Sequence, residues 1–330
     1  MGMLVVSGGP MTTVQDQGRI GYQQFGVSVS GVSDRRSFLI ANHLVGNAEN
    51  EAVLEAAMLG PSLLFEKATT IAITGGDLSP MIDGEAAGMY RAIPVAAGQT
   101  LSFGAPQTGF RCTIAFAGGL DIAPAMGSRS TFIKGALGGY NGRALAKGDR
   151  IGFRAPVACL PGFAARAMPQ EDFSGSEWTV RVVLGPQESA FTAAGMEAFL
   201  HTPYTVTNEL DRMGCRLSGE AIGHVDGGDI ISDGISFGAV QVPTQGQPII
   251  MMADRQTTGG YTKIANVITA DFPRIAQLRP GMVVRFASVG IEEAQDLYIA
   301  ELAELRGLRK YWDARALVAA RRQMIAAQRG

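Results

Sequence analysis

Histidine and cysteine are both scarce, three of each in 330 residues. The histidines, at 43, 201 and 224, fall into neither HExxH nor HxH spacing, so no metal site is expected from them. The cysteines, at 112, 159 and 215, are odd in number and far apart. That excludes a disulfide framework and a CxxC redox or metal pair, and they read as small buried apolar residues. There is no GxxxxGK[ST] loop, hence no Walker-type phosphate site, and no GxSxG elbow motif is expected. Net charge is also small: Lys+Arg 28 against Asp+Glu 30 leaves −2, with no long basic run to neutralise a phosphate backbone. That argues against nucleic acid as a partner. The opening MGMLVVSGGPMTTVQD lacks a basic leader region, and no stretch approaches the ~20 apolar residues of a membrane span. The expectation is a cytoplasmic protein with no membrane association.

What is present points to packed cores and many turns. With 46% hydrophobic and 18% charged residues, no long segment has the composition of disorder. The 43 glycines are about twice the usual share of roughly 7%, and they lie scattered between short apolar runs, as in a β-rich chain. A length of 330 allows two domains.

A short pattern recurs three times: Gly98-Gln-Thr-Leu101-Ser-Phe103, Gly148-Asp-Arg-Ile151-Gly-Phe153 and Gly281-Met-Val-Val284-Arg-Phe286. Each reads as a turn glycine feeding a strand, with the aliphatic and the Phe on one face. The last two copies would each close a β-structured unit. Leu59-Gly60-Pro61 and Leu184-Gly185-Pro186 echo the same division. The expected organisation is a β lobe over 1–153, a Pro/Ala/Ser/Gly-rich linker over 154–177, a second β lobe over 178–290, and a helical tail over 291–330.

Helical text is limited. A helix over 34–45 places Phe38, Leu39, Asn42 and Val45 at helical spacing, with Ser33 or Asp34 as cap and Gly46 as stop. A second helix is expected over 187–200. The tail is amphipathic through Ala294, Leu297, Tyr298 and Leu302, and Gly307 is expected to break it in two.

The remaining signal lies in polar, Gly-rich blocks inside apolar text. The first is Thr12-Thr13-Val14-Gln15-Asp16-Gln17-Gly18-Arg19, where an extended chain puts Thr13 and Gln15 on one face. The second is Thr74-Gly75-Gly76-Asp77, read as a strand ending in backbone N–H groups beside a carboxylate. The third, Gly127-Ser128-Arg129-Ser130-Thr131, has the hydroxyls and fixed cation of an anion-binding loop. An Asp16–Arg19 pair across a turn, an ordinary turn and a polar surface loop would account for the three in that order.

The second lobe contributes Asp211-Arg212-Met213-Gly214, Ser232-Asp233-Gly234-Ile235 and Gln241-Val242-Pro243. Its densest block is Ala253-Asp254-Arg255-Gln256-Thr257-Thr258-Gly259-Gly260-Tyr261-Thr262-Lys263, which follows an apolar strand. It is too polar for a core and too organised for a spacer. One such block in each lobe points to a cleft between lobes that takes a small polar molecule.

Eight ordered motifs carry a resemblance: TTVQDxGRxG at 12–21, SGxxD at 30–34, ANxLVGN at 41–47, GSRST at 127–131, GGxxGRxLxxGD at 138–149, DRMGxRL at 211–217, SDGIxxGxxQVPxxGQPI at 232–249 and ADRQTTGGYxKIAxV at 253–267. Over roughly 3–290 the chain resembles the KipA family, also called allophanate-hydrolase subunit 2, the A–B half of a biotin-dependent carboxyltransferase of the urea amidolyase type. Many bacterial members are described as the C-type subunit of an ATP-dependent 5-oxoprolinase (PxpC-like).

The resemblance implies two cyclophilin-like β-barrel lobes, a B-type, KipI-like partner and a further A-type chain. It implies either ATP-dependent opening of the lactam of 5-oxo-L-proline to L-glutamate, with ATP acting at the level of the complex, or transfer of a carboxyl group from carboxyl-biotin to urea or a related amide. A third implied possibility is a non-catalytic regulator that binds a partner; self-association also stays open. Both chemistries must polarise a poorly reactive amide, for which fixed donors are suited. The candidate catalytic set is Asp16, Arg212, Asp254, Arg255 and Lys263. The candidate substrate-binding set is Thr13, Gln15 and Arg19; Gly75, Gly76 and Asp77; Ser128 and Arg129; and Gln241, Gln256, Thr257, Thr258, Gly259, Gly260 and Tyr261. Alanine at Arg255 or Asp16 is then expected to abolish turnover while folding and partner binding survive.

Overall fold

The computed structural model describes residues 2–327 and divides into two compact units. Both are mainly β, as expected. Of the described residues, the first unit takes 2–18, 34–173 and 302–327, and the second takes 19–33 and 174–301.

In the first unit a seven-stranded sheet runs in the order Leu120–Asp121, Arg150–Phe153, Met3–Ser7, Ser62–Phe65, Thr100–Phe103, Pro80–Ile82, Glu85–Ala86. A five-stranded antiparallel sheet runs Met11–Gln15, Val53–Ala57, Thr108–Phe116, Thr69–Asp77, Ala92–Val95. Alternating residues of both sheets meet in one core, with Phe65, Phe116 and Phe153 at its centre, ring centroids 5.6–6.4 Å apart. Helix α1 (Arg35–Leu44) packs on the smaller sheet. Asp34 caps it, accepting from the Ser37 amide at 3.0 Å and the Ser37 hydroxyl at 2.8 Å.

In the second unit one eight-stranded sheet runs Glu177–Leu184, Val283–Ser288, Tyr204–Leu210, Gly214–Ser218, Ile249–Met251, Ala239–Val242, Thr258–Val267, Asp229–Gly234. Glu177–Leu184 also pairs with Thr258–Val267, which closes seven strands into a barrel and leaves Asp229–Gly234 as its one edge. Phe286 stacks on Phe199 at 4.5 Å inside it. Helix α2 (Ala193–His201) is capped by Thr192, and a short helix α3 (Phe272–Ala276), not expected from the sequence, follows the long strand.

The triple repeat has a common physical basis. Gly98, Gly148 and Gly281 adopt φ of 91°, 92° and 86°, and a Cβ on any of them would meet nothing within 4 Å. Backbone conformation, not space, requires glycine there. Each turn then starts a strand that buries Leu101, Ile151 or Val284 completely or nearly so.

Four expectations are corrected. Gly307 does not break the tail: α4 runs unbroken from Ile291 to Ala327. An exposed mid-helix glycine costs about 1 kcal/mol, and burial of Leu305 and Trp312 outweighs it. The expected end of the tail at 328–330 lies outside the described residues. Segment 154–177 is not a free spacer, since the Ala92 and Met168 amides bond across to Arg166 and Tyr90, and Arg166 donates to the His43 carbonyl at 2.9 Å and to Asp313 at 2.8 Å. Segment 19–33 groups with the second unit, not the first lobe, because Ser28 bonds to Ala253 and Gly31 to Arg212. Cys112 and Cys215 are buried as expected, whereas Cys159 is exposed.

His43, near the end of α1, is 2% exposed. Burial, reinforced by the Arg309 guanidinium, pulls its pKa below the ordinary 6.5, and Glu49 and Asp313 only partly oppose this. The unfolded chain therefore binds a proton that the folded chain resists. Stability present above pH 6.5 is lost as pH falls from there toward the lowered folded pKa. Unfolding midpoints compared at about pH 7.5 and pH 5.5 should show this loss, and the difference should shrink in His43→Gln.

Candidate functional site

In the first unit, the first and third polar blocks come together. The strand Met11–Gln15 places Thr13 and Gln15 on one face, where Gln15 Nε2 donates to Thr13 Oγ1 at 2.9 Å and to the Thr131 carbonyl at 3.2 Å. Asp16, 1% exposed, then accepts four hydrogen bonds. They come from the Gly18 amide at 2.9 Å, the hydroxyls of Ser128 and Ser130 at 2.6 Å, and the Arg129 amide at 2.6 Å. Arg129 turns its Nε to the Ile122 carbonyl at 2.8 Å. These residues staple two loops together. Three of the four fall on Oδ1 and one on Oδ2, so most of the accepting capacity of Asp16 is spent on holding the fold.

The Gly-Gly-Asp block ends its strand, as expected. Gly75, Gly76 and Asp77 are the last residues within Thr69–Asp77, beside a bulge. The Gly75 amide donates to the Tyr90 hydroxyl at 3.0 Å, and Asp77 accepts from the Ser79 amide at 2.8 Å in a local turn. These groups are occupied by the fold.

The second unit brings a different set together. After the strand Ile249–Met251 the chain turns, and two adjacent charges separate. Asp254 takes Arg212 in a two-bond fork, Nε to Oδ2 at 3.0 Å and Nη2 to Oδ1 at 2.9 Å, with both side chains at most 8% exposed. Arg212 also donates to the Gly31 carbonyl at 2.6 Å and the Ser33 hydroxyl at 3.3 Å, so it clamps the segment Arg19–Ser33 within its own unit. Arg19, on that segment, is fully buried. Arg212 and Asp254 hold each other and are not free donors or acceptors.

Arg255 faces the other way, into an open pocket of about 730 Å³. Its Nε donates to the Ile235 carbonyl at 3.0 Å and its Nη1 to the Met252 carbonyl at 3.3 Å, with the Phe237 ring 5.8 Å from its Cζ. Burial draws its pKa down to about 10, against the opposing charge of Asp254. Thr257 and Thr258 line the same pocket, as does Lys263 on the strand Thr258–Val267. On that strand Lys263, Ala265 and Asn266 border the pocket, while Ile264 is buried in the core, to which Ala265 also belongs. Lys263 Nζ donates to Asp233 Oδ2 at 2.8 Å, which holds the Asp233 carboxyl below its usual range.

The pocket wall also contains Gly185, where a Cβ would lie 2.2 Å from the Lys263 carbonyl. The second Leu-Gly-Pro echo is therefore a close chain crossing that only glycine permits.

Gln241, Gln256, Gly259, Gly260 and Tyr261 belong to the same unit but do not line the pocket. A Cβ on Gly259 would sit 3.0 Å from Gln241 Nε2, so the two glutamine amides crowd that glycine. Tyr261 is 41% exposed and takes Gln241 on its carbonyl at 3.5 Å.

Sequence reasoning passed over Asp233, Ser236, Asn266, Gln23 and Gln24 as site residues, although all line the pocket. Asp233 stood in a quoted motif, while nothing in the sequence marks the two glutamines. Ser236 corrects the expectation that the GxSxG motif is absent, since Gly234-Ile235-Ser236-Phe237-Gly238 has that spacing. It joins two strands instead of a strand and a helix, and the Ser236 hydroxyl is bonded to Asn266 with no histidine beside it. It is not a nucleophile elbow. Among the described residues no group of three or more His, Cys, Asp or Glu could hold a metal ion, and no helix is long and apolar enough to cross a membrane.

The carboxyltransferase domain, subdomain A and B, matches residues 25–288. The C subunit of the Escherichia coli 5-oxoprolinase is 37% identical over 308 residues, spanning 91% of this chain and 97% of the relative. The urea amidolyase of Saccharomyces cerevisiae is 31% identical over 317 residues, spanning 91% of this chain but 17% of the relative. The crystal structure of K. lactis urea amidolyase superposes with a TM-score of 0.88 at 31% identity, covering 93% of this chain and 20% of that one. The chain thus spans about a fifth of the solved amidolyase, and it belongs to the carboxyltransferase family built from subdomains A and B.

Proposed function

We infer that this chain is the C-type subunit of an ATP-dependent 5-oxoprolinase complex and helps open the lactam of 5-oxo-L-proline to L-glutamate. The observation that carries this reading is the likeness to the C subunit of the E. coli 5-oxoprolinase, at 37% identity over 308 residues, against 31% over 317 residues for the S. cerevisiae urea amidolyase. The pocket supports the reading chemically, because its fixed cations, Arg255 and Lys263, face open space suited to a small polar molecule. A lactam is a poorly reactive amide, and donors held in place by the fold lower the cost of charge developing on its oxygen. The partners on this reading are a B-type, KipI-like chain and an A-type chain, with ATP used by the complex.

The likeness in fold to urea amidolyase at a TM-score of 0.88 favours a second reading. There the chain is a carboxyltransferase component that receives carboxyl-biotin from separate carrier and carboxylase proteins and acts on urea or a related amide.

Glutamate release from 5-oxoproline with ATP, by this chain purified with its B-like and A-like neighbours, separates the two. Release that needs ATP and all chains, and that avidin does not inhibit, is the expected result. A well-folded complex that releases no glutamate, but carboxylates urea from carboxyl-biotin, would replace the first reading with the second.

A further inference from the structure

The charged side chains around the pocket are three: Arg255, Lys263 and Asp233. Lys263 and Asp233 neutralise each other at 2.8 Å. Arg255 has no such partner. Its two protein acceptors are neutral backbone carbonyls, and Asp254, the adjacent carboxylate, spends both oxygens on Arg212. Among the described residues no carboxylate comes within ion-pair distance of Arg255, and no protein acceptor takes its Nη2. The wall therefore carries one uncompensated positive charge on a residue 8% exposed.

A buried guanidinium without a counter-charge is costly, and the usual solution is a fixed carboxylate. Arg212, in the same unit and equally buried, has that solution in Asp254. At Arg255 the fold supplies rigid neutral anchors that set the plane of the guanidinium while leaving one edge for an acceptor. That arrangement suits a planar, two-oxygen anion.

We propose that Arg255 is the receptor for a permanent carboxylate on the small-molecule ligand of this pocket, and that it makes the site selective for monoanions over neutral amides. This rests on reading the pocket as the substrate site. It changes the role first given to Arg255, from donor to a developing oxyanion to specificity-determining anchor. The lowered pKa agrees, since burial without a counter-ion is what depresses it. Two molecules bring such a group: 5-oxo-L-proline has a carboxylate beside its lactam, and carboxyl-biotin has one on its ureido ring. Urea has none.

The test measures binding to the full chain by calorimetry, using 5-oxo-L-proline, 2-pyrrolidinone (the same lactam without the carboxylate), acetate, urea and inorganic phosphate. The expected result is that 5-oxo-L-proline binds at least about tenfold tighter than 2-pyrrolidinone, the worth of one charge-assisted contact. Arg255→Gln should erase that difference and Arg255→Lys should restore part of it. The comparison of ligands on the unaltered protein stands even where a variant fails to fold. Acetate binding that depends on Arg255, with 5-oxo-L-proline no tighter than acetate, would uphold the anion receptor while removing the lactam reading. Equal binding of 2-pyrrolidinone and 5-oxo-L-proline, binding of phosphate but no carboxylate, or unchanged discrimination in Arg255→Gln would each overturn the proposal.

Discussion

Replacing Asp254 with alanine is expected to lower the free energy of unfolding by about 3–5 kcal/mol, as measured by urea denaturation. The reason is asymmetric. The ion pair as a whole contributes modestly, because taking both charges out of water offsets most of their attraction. Removing only the carboxylate strands Arg212 at 8% exposure with two of its hydrogen bonds gone. The Gly31 carbonyl and the Ser33 hydroxyl cannot replace a charge. The damage should then spread to the segment Arg19–Ser33, which the same guanidinium holds. Protease sensitivity within 19–33 should rise in Asp254→Ala, and a change below about 1 kcal/mol with no new cleavage there would contradict this account.

Asp16→Ala should cost the fold at least about 3 kcal/mol, since four donors aimed at one buried carboxylate lose their acceptor together. Asp16→Asn is expected to be nearly as harmful, because its amide group points hydrogens where the site already supplies hydrogens. Both effects are read as a drop in thermal midpoint of the isolated chain, before any partner or substrate is added. A variant of normal stability that has lost only turnover would return Asp16 to the chemistry and undo the structural role given to it above.

Much of the fold was legible because it depends on local rules. The three Gly-x-x-aliphatic-x-Phe strands, the Asp34-capped helix and the helix over Ala193–His201 each need only a turn conformation, a cap or a period, which neighbouring residues supply. The tail was misread at Gly307, where a local cost of about 1 kcal/mol was weighed without the burial of Leu305 and Trp312 that overrides it. The short helix Phe272–Ala276 escaped notice, as five residues carry no period to count. Gly-Gly-Asp does end its strand, but that its Gly75 amide is already taken could not be read locally, because the hydroxyl that takes it comes from Tyr90, fifteen residues away.

The candidate site shows the same division. Polar blocks too organised for spacers could be found in the sequence, and Arg255, Lys263, Thr257 and Thr258 do share a pocket. Residue type and spacing alone determined which side chains were available, that the chain is β-rich, and that it lies in one family. Only the tertiary structure decided which charges are spent. Asp16, Arg212 and Asp254 carry the same chemistry in sequence as Asp233, Lys263 and Arg255. Their partners arrive from up to 181 residues away, and those distant contacts leave Arg255 as a pocket cation with no carboxylate paired to it among the described residues. Charge compensation is a property of distance in space, on which a linear order of residues is silent.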